Sequence, residues 1–176
     1  MARALHRLLP DEAEATALLA LMRLTDARRP ARITADGQLV TLEDQDRTLW
    51  DQQQIAEGRQ LVITALGARP PGPYALQTTI AAVHADAPPH RPQIASLYGL
   101  LAQTPPSPMI ELNRAIALAM AGGPAIGLRI LDELQESGHL AGSHLLPAAA
   151  PRQLSNGQRP GPWLCTSGTG ISRSRP

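Results

Sequence analysis

The amino-acid sequence predicts an all-α fold. Its 176 residues are 43% hydrophobic but only 2% aromatic, with no Phe. Leu, Ile, Val and Ala must therefore fill the core, and a supply rich in Leu and Ala favours packed helices over strands, which prefer β-branched and aromatic side chains. Apolar residues also recur at helical spacing between turns that contain Pro and Gly.

These patterns predict six helices. The first three cover about residues 11–27, 46–66 and 73–85. Three shorter helices follow within residues 94–134, separated by tight Pro and Gly turns, an organisation typical of stacked helix hairpins. We expect an antiparallel helix-hairpin array similar to tetratricopeptide repeats, with degenerate repeats at about 94–149.

Local signals predict several helix ends. Asp11 and Glu14 have the spacing of a capping box, which predicts that the first helix begins at Asp11. Pro73 suits the first position of the third helix, because its missing N–H is not needed there. Asp36 and Gly37 could form a hairpin turn, but a loop is favoured because the flanking residues alternate poorly.

Residues 1–149 are expected to form one domain, and the remainder a tail. Residues 150–176 contain 4 Arg and no acid, and are rich in Gly, Ser, Thr and Pro. Such a composition predicts disorder. Because a helical array normally ends in a capping helix with a polar face, the tail also suggests a truncated or frame-shifted end.

Charge and composition argue against several protein classes. The formal net charge is +1, and residues 1–149 carry 12 Arg against 15 acids, so the chain lacks the basic field of a protein that binds nucleic acid by itself. Apolar runs are too short to span a bilayer. Cys165 is the sole Cys, which is compatible with a reducing compartment. We expect a cytoplasmic protein.

The densest group of carboxylates is Glu43, Asp44 and Asp46, with Asp51 slightly beyond. Converging carboxylates could bind a metal or act as general acid and base. Helix capping is the favoured interpretation, since acids stabilise the N-terminus of a helix and Asp46 lies where the second helix is predicted to begin. Arg47 lies in the same segment.

Trp50 is a large side chain in a sequence that has few aromatic residues. Its spacing from Ile55 and Leu61 suits a buried helix face, so a core anchor is favoured over an interface residue. If the acids near Trp50 are exposed, they could meet a basic partner.

Nothing in the sequence specifies a reaction or a cofactor. His84, His90, His139 and His144 lack the spacing of a zinc site, and His84 is expected in the core. Cys165 has no neighbouring residue that would lower the pKa of its thiol. We therefore expect no enzyme activity and no metal.

Several runs resemble the C-terminal extension of a bacterial subgroup of extracytoplasmic-function RNA polymerase sigma factors. They occur in the expected order over about residues 5–149. The runs are LLPDEA (8–13), ARRPAR (27–32), LEDQDRTLWD (42–51), IAEG (55–58), GPYALQ (72–77), IAAVHA (80–85), LNRA (112–115) and HLLPAA (144–149). The sequence departs from the family pattern at Arg91 and Pro92, at Ser143 and in the tail.

The resemblance implies a tetratricopeptide-like helical array that acts in transcription initiation. It implies contacts with the core RNA polymerase, the sigma factor's DNA-binding domains or a regulator. The sequence has no helix-turn-helix, so no direct DNA binding is expected. No membrane contact is expected either, because the apolar runs are too short to span a bilayer. Glu43, Asp44, Asp46, Arg47, Trp50 and Asp51 are the candidate interaction or structural signature.

Two other hypotheses remain open. A free-standing helical scaffold could bind a peptide on its concave face. A small metalloenzyme could use Glu43, Asp44 and His residues, provided that the fold brought them within ligand distance.

Overall fold

The computed structural model describes residues 2–67, 70–104 and 107–136, with Gln135 described for its backbone alone. All regular elements in these ranges are helices, so the predicted all-α fold is confirmed. The elements are α1 (Ala2–Leu8), α2 (Ala13–Asp26), two 3₁₀ helices (Arg29–Ala31 and Arg47–Leu49), α3 (Gln52–Ala65), α4 (Pro73–His84), α5 (Arg91–Leu101), α6 (Pro108–Gly122) and α7 (Pro124–Glu136).

Most of the predicted helices are present with small shifts at their ends. The third begins at Pro73 as expected, and α6 begins at Pro108. Gly123 has φ 105° and ends α6, after which Pro124 begins α7. The expected end of the array, the predicted tail, Cys165, His139 and His144 lie outside the described residues.

Two predictions of helix starts are wrong. α2 begins at Ala13, and its N-cap residue, Glu12, makes no side-chain cap bond, so no capping box forms between Asp11 and Glu14. α3 begins at Gln52 and not near Asp46, because residues 47–49 form a separate 3₁₀ turn before the chain enters α3. The sequence pattern cannot distinguish two consecutive capped starts from one long helix.

The short helix α1 was not predicted. It contacts α2, where the Thr16 hydroxyl lies 3.1 Å from Nδ1 of His6 and Ala2 is buried. An isolated helix of 7 residues is unstable in water, so packing on α2 is what stabilises it.

The segment around Gly37 forms a tight turn in an otherwise irregular connection. Gly37 has φ 85°, and Ile33 and Leu39 form an isolated antiparallel bridge. No longer strand forms in the described residues, in agreement with the favoured interpretation of a loop.

Consecutive helices pack on one another, and α2 also contacts α4. One core cluster joins α2 and α3 with Trp50 and Leu42, a second joins α4, α5 and α6, and a third joins α6 and α7.

Gly58 permits close packing of α2 and α3, because a Cβ at this position would lie 2.7 Å from Cγ of Leu24. Gly58 therefore lets the two helices approach each other closely. From the sequence alone, a Gly inside a helix predicts only a lower helix stability.

No helix in the described ranges is both long enough and apolar enough to cross a membrane.

Candidate interaction site

The acidic segment is organised by local hydrogen bonds. Asp46 accepts from the backbone N–H of Thr48 at 2.9 Å and from its hydroxyl at 2.7 Å, and so caps the second 3₁₀ helix. Asp51 accepts from the backbone N–H of Gln54 at 2.9 Å and caps α3. These bonds, from the Thr48 side chain and from the Gln54 backbone respectively, lower the pKa of both carboxyls.

The other two carboxylates have different partners. Glu43 pairs with Arg91 at 2.7 Å and so joins the loop to the first turn of α5. Asp44 accepts from the Thr41 hydroxyl at 2.7 Å. The four acids therefore serve separate contacts, and the described part of the chain contains no group of three or more His, Cys, Asp or Glu that could hold a metal.

Trp50 lies in the core, as its favoured interpretation expects. It is 4% exposed and belongs to the cluster formed by α2 and α3. The guanidinium carbon of Arg47 lies 4.5 Å from the centroid of the Trp50 ring, and that of Arg28 lies 5.9 Å away. Both distances are within the range of a cation–π interaction.

Arg47 also contacts the end of α4. It donates to the carbonyl oxygens of His84 at 3.3 Å, Ala85 at 3.4 Å and Asp86 at 2.9 Å. The last carbonyls of a helix lack partners within the helix and carry partial negative charge, so a guanidinium satisfies and stabilises them. Arg47 thus lies between the Trp50 ring and the C-terminus of α4.

A cavity of about 40 Å³ lies beside Arg47, between the 42–47 segment and helices α4, α5 and α6. Its polar rim consists of Glu43, Arg47, His84 and Arg91. Its apolar lining consists of Leu42, Pro89, Ile94, Tyr98, Ile116, Ala117 and Met120. The cavity therefore combines a hydrocarbon wall with charged groups at its edge.

His84 is uncharged at neutral pH. Burial is the largest cause, and together with the positive charges of Arg28, Arg47 and Arg91 it lowers the pKa of the imidazole to about 4. The expectation that His84 lies in the core is met only partly, because it is half-buried at the end of α4 and lines the cavity.

Sequence reasoning identified Arg47 but missed the roles of two other cations near the site, Arg28 and Arg91. Arg28 is 4% exposed, and Arg91 lies 48 positions from its partner Glu43. The contact of Arg28 with Trp50 and the ion pair of Arg91 with Glu43 each join distant segments of the chain. Such contacts leave no periodic pattern in the sequence around either Arg.

A family comparison covers the N-terminal part of the site. Residues 1–66 match the model of a family of unknown function, DUF6596. That range contains α1, α2 and α3 with Arg28, Arg47 and Trp50, whereas His84 and Arg91 lie beyond it.

One relative is an uncharacterized protein of Rhizobium meliloti (strain 1021), which is 42% identical over 142 residues. The alignment covers 77% of this chain and 33% of the relative, so the chain spans about a third of that protein's length. No solved structure matches the chain.

Proposed function

We propose that this chain is the C-terminal interaction module of an extracytoplasmic-function RNA polymerase sigma factor and acts in transcription initiation. Its partners are the core RNA polymerase, the DNA-binding domains of the sigma factor, or both. The module has no catalytic role and does not bind promoter DNA by itself.

The observation that carries the proposal is the ordered set of sequence runs that resembles this extension. The run at 42–51 is the longest. Its residues are used for architecture: Asp46 and Asp51 cap helices, Arg47 binds the end of α4, and Trp50 lies in the core. These structural tasks support the interpretation of the run as part of a helical module.

Two further observations support the proposal. The relative from Rhizobium meliloti is about three times as long as the aligned stretch, which leaves room in that protein for other domains. The described surface also exposes large apolar side chains, among them Met22 at 48%, Ile63 at 66% and Tyr74 at 42%. Apolar surface at such positions is available for contacts with protein partners.

Binding of the purified chain to three immobilised partners tests the proposal: core RNA polymerase, the two DNA-binding domains of a sigma factor of this subgroup, and duplex promoter DNA. We expect saturable binding to at least one protein partner and no binding to DNA at physiological salt. Absence of binding to both protein partners would contradict the proposal, as would tight binding to the DNA alone.

The cavity beside Arg47 favours one alternative, a free-standing scaffold that binds peptides through the helical array. In that case the chain would bind short peptides but neither polymerase nor sigma domains. The metalloenzyme hypothesis is not carried forward, because Glu43 and Asp44 have separate partners.

A further inference from the structure

The wall of the cavity beside Arg47 suits a hydrocarbon side chain. Ile94, Ile116 and Tyr98 are buried, and Met120 is half-buried at the cavity. Burial of apolar surface against such a wall is favourable, and the flexible Met120 side chain can adjust to the shape of what enters. The volume of about 40 Å³ holds roughly three water-sized positions, which suits the branched end of an aliphatic side chain.

The rim of the cavity has an excess of positive charge. Arg47 and Arg91 both line it, whereas Glu43 is the one carboxylate among its lining residues in the described part of the chain. The Arg91 side chain is 40% exposed although it pairs with Glu43, so its guanidinium remains accessible to a second carboxylate. His84 adds no negative charge to this rim in either of its protonation states.

The acids near Trp50 do not reverse this charge pattern. Asp46, Asp51 and Asp86 keep their negative charge, but none of them lines the cavity: Asp46 and Asp51 bind N–H groups of their own turns, and Asp86 pairs with Arg59. Electrostatic complementarity at the cavity therefore favours an acidic partner segment. This differs from the basic partner that the crowded acids of the sequence suggested.

We propose that the cavity receives an aliphatic side chain, Leu or Val, from a partner protein segment in which an adjacent carboxylate pairs with Arg91, close to the positive charge of Arg47. The identification of that partner as polymerase or sigma domain rests on the proposed function. The preference for an aliphatic side chain beside a carboxylate rests only on the residues that line the cavity.

A small probe isolates the site from the identity of the partner. N-acetyl-leucine carries a branched aliphatic side chain beside a carboxylate, and N-acetyl-leucinamide is its uncharged match. We expect the acid to shift the methyl NMR signals of Met120 and Ile116 saturably at millimolar concentration, and the amide to bind at least about five-fold more weakly. Equal binding of both probes, or no shift at these methyl groups, would overturn the proposal.

Paired variants test the wall and the rim separately. Met120→Trp should fill the cavity and abolish binding of the probe, whereas Met109→Trp, on the same helix and 40% exposed, should leave it unchanged. Arg91→Gln should weaken binding of N-acetyl-leucine but not of the amide, while the exposed Arg129→Gln serves as its control. Circular dichroism of each variant establishes that it is folded, and a folded Met120→Trp variant that still binds the probe would refute the assignment.

The same variants separate this proposal from the proposed function. If the wild-type chain binds polymerase or sigma domains, folded Met120→Trp should lose about ten-fold or more in affinity. Unchanged affinity of that variant would exclude the cavity as the contact and leave the proposed function intact. If the wild-type chain binds none of these partners, the proposed function fails, and the titration with N-acetyl-leucine decides the cavity alone.

Discussion

Glu14 on α2 accepts a hydrogen bond from the backbone N–H of Tyr74 at 2.9 Å, across 60 positions of sequence. Its second carboxylate oxygen accepts from the N–H of Ala75 at 3.0 Å. The N-cap residue of α4, Gly72, has no side chain to perform this task. A carboxylate from a neighbouring helix therefore caps α4 and faces the positive end of its dipole.

Glu14→Ala should destabilise the protein by about 1–2 kcal/mol, because the first N–H groups of α4 lose their acceptor in a partly buried place. Urea unfolding followed by circular dichroism measures the change. Glu12→Ala is the matched control, since Glu12 makes no side-chain cap bond and should cost much less. Equal losses for the two variants would show that the contact with α4 is not what stabilises this region.

Gly58→Ala should destabilise the protein by about 1–3 kcal/mol, although Ala is the better helix former, because the new Cβ would press on Leu24 and separate α2 from α3. Gly99→Ala in α5 is the control. A Cβ at position 99 meets nothing within 4 Å, so this variant should gain up to about 1 kcal/mol from helix propensity. Thermal unfolding of both proteins should shift in opposite directions, and a stabilised Gly58→Ala variant would contradict the packing described for α2 and α3.

Arg47→Lys should destabilise the protein by about 2 kcal/mol, because an ammonium group cannot stack its face on Trp50 while it donates to the carbonyls of α4. Arg129→Lys should have little effect, since the Arg129 side chain is 74% exposed. Tryptophan fluorescence reports the contact between Arg47 and the Trp50 ring more directly than stability does. The emission of Trp50 should shift on Arg47→Lys, measured in a Trp163→Phe background, and an unchanged spectrum with unchanged stability would contradict the role given to Arg47.

His84 should make stability depend on pH between about 6.5 and 4. Its pKa falls from 6.5 to about 4 on folding, so in this window the unfolded chain binds more protons than the native protein. The free energy of unfolding should therefore decrease as the pH falls through this range, with a slope of up to about 1.4 kcal/mol per pH unit from this group.

His84→Gln should flatten this dependence, because Gln does not titrate. The comparison of urea unfolding at several pH values for the two proteins gives the contribution of His84 as the difference between their slopes. Identical slopes would show that the imidazole is not desolvated in the native state.

Lowered pKa values at Asp46 and Asp51 act at lower pH. Their caps stabilise the fold above about pH 3.8, the ordinary value for Asp, and this contribution is lost as the pH falls through the lower native pKa values. Asp51→Asn should reduce the acid-induced loss of stability below pH 4, measured against Asp132→Asn, an exposed acid on α7. An equal acid profile in the two variants would contradict the capping role of Asp51.

Local chemistry in the sequence was sufficient to predict much of the fold. The scarcity of aromatic residues indicated helices. Pro73 and the Pro and Gly turns between the helices of residues 94–134 placed helix boundaries, because their backbone constraints act within one turn of the chain. The same reasoning identified Trp50 as a core residue and Asp46 as a capping residue, although the residue that caps α3 is Asp51.

What the local pattern could not determine were the contacts between distant segments. Glu14 caps α4 and not its own helix, Arg47 binds the end of α4, and Arg91 pairs with Glu43 to form the rim of the cavity. Each of these side chains has several possible partners that are equally compatible with its neighbours in sequence. The choice among them depends on which helices pack together, since only packing brings a carboxylate or a guanidinium within hydrogen-bonding distance of one particular helix end.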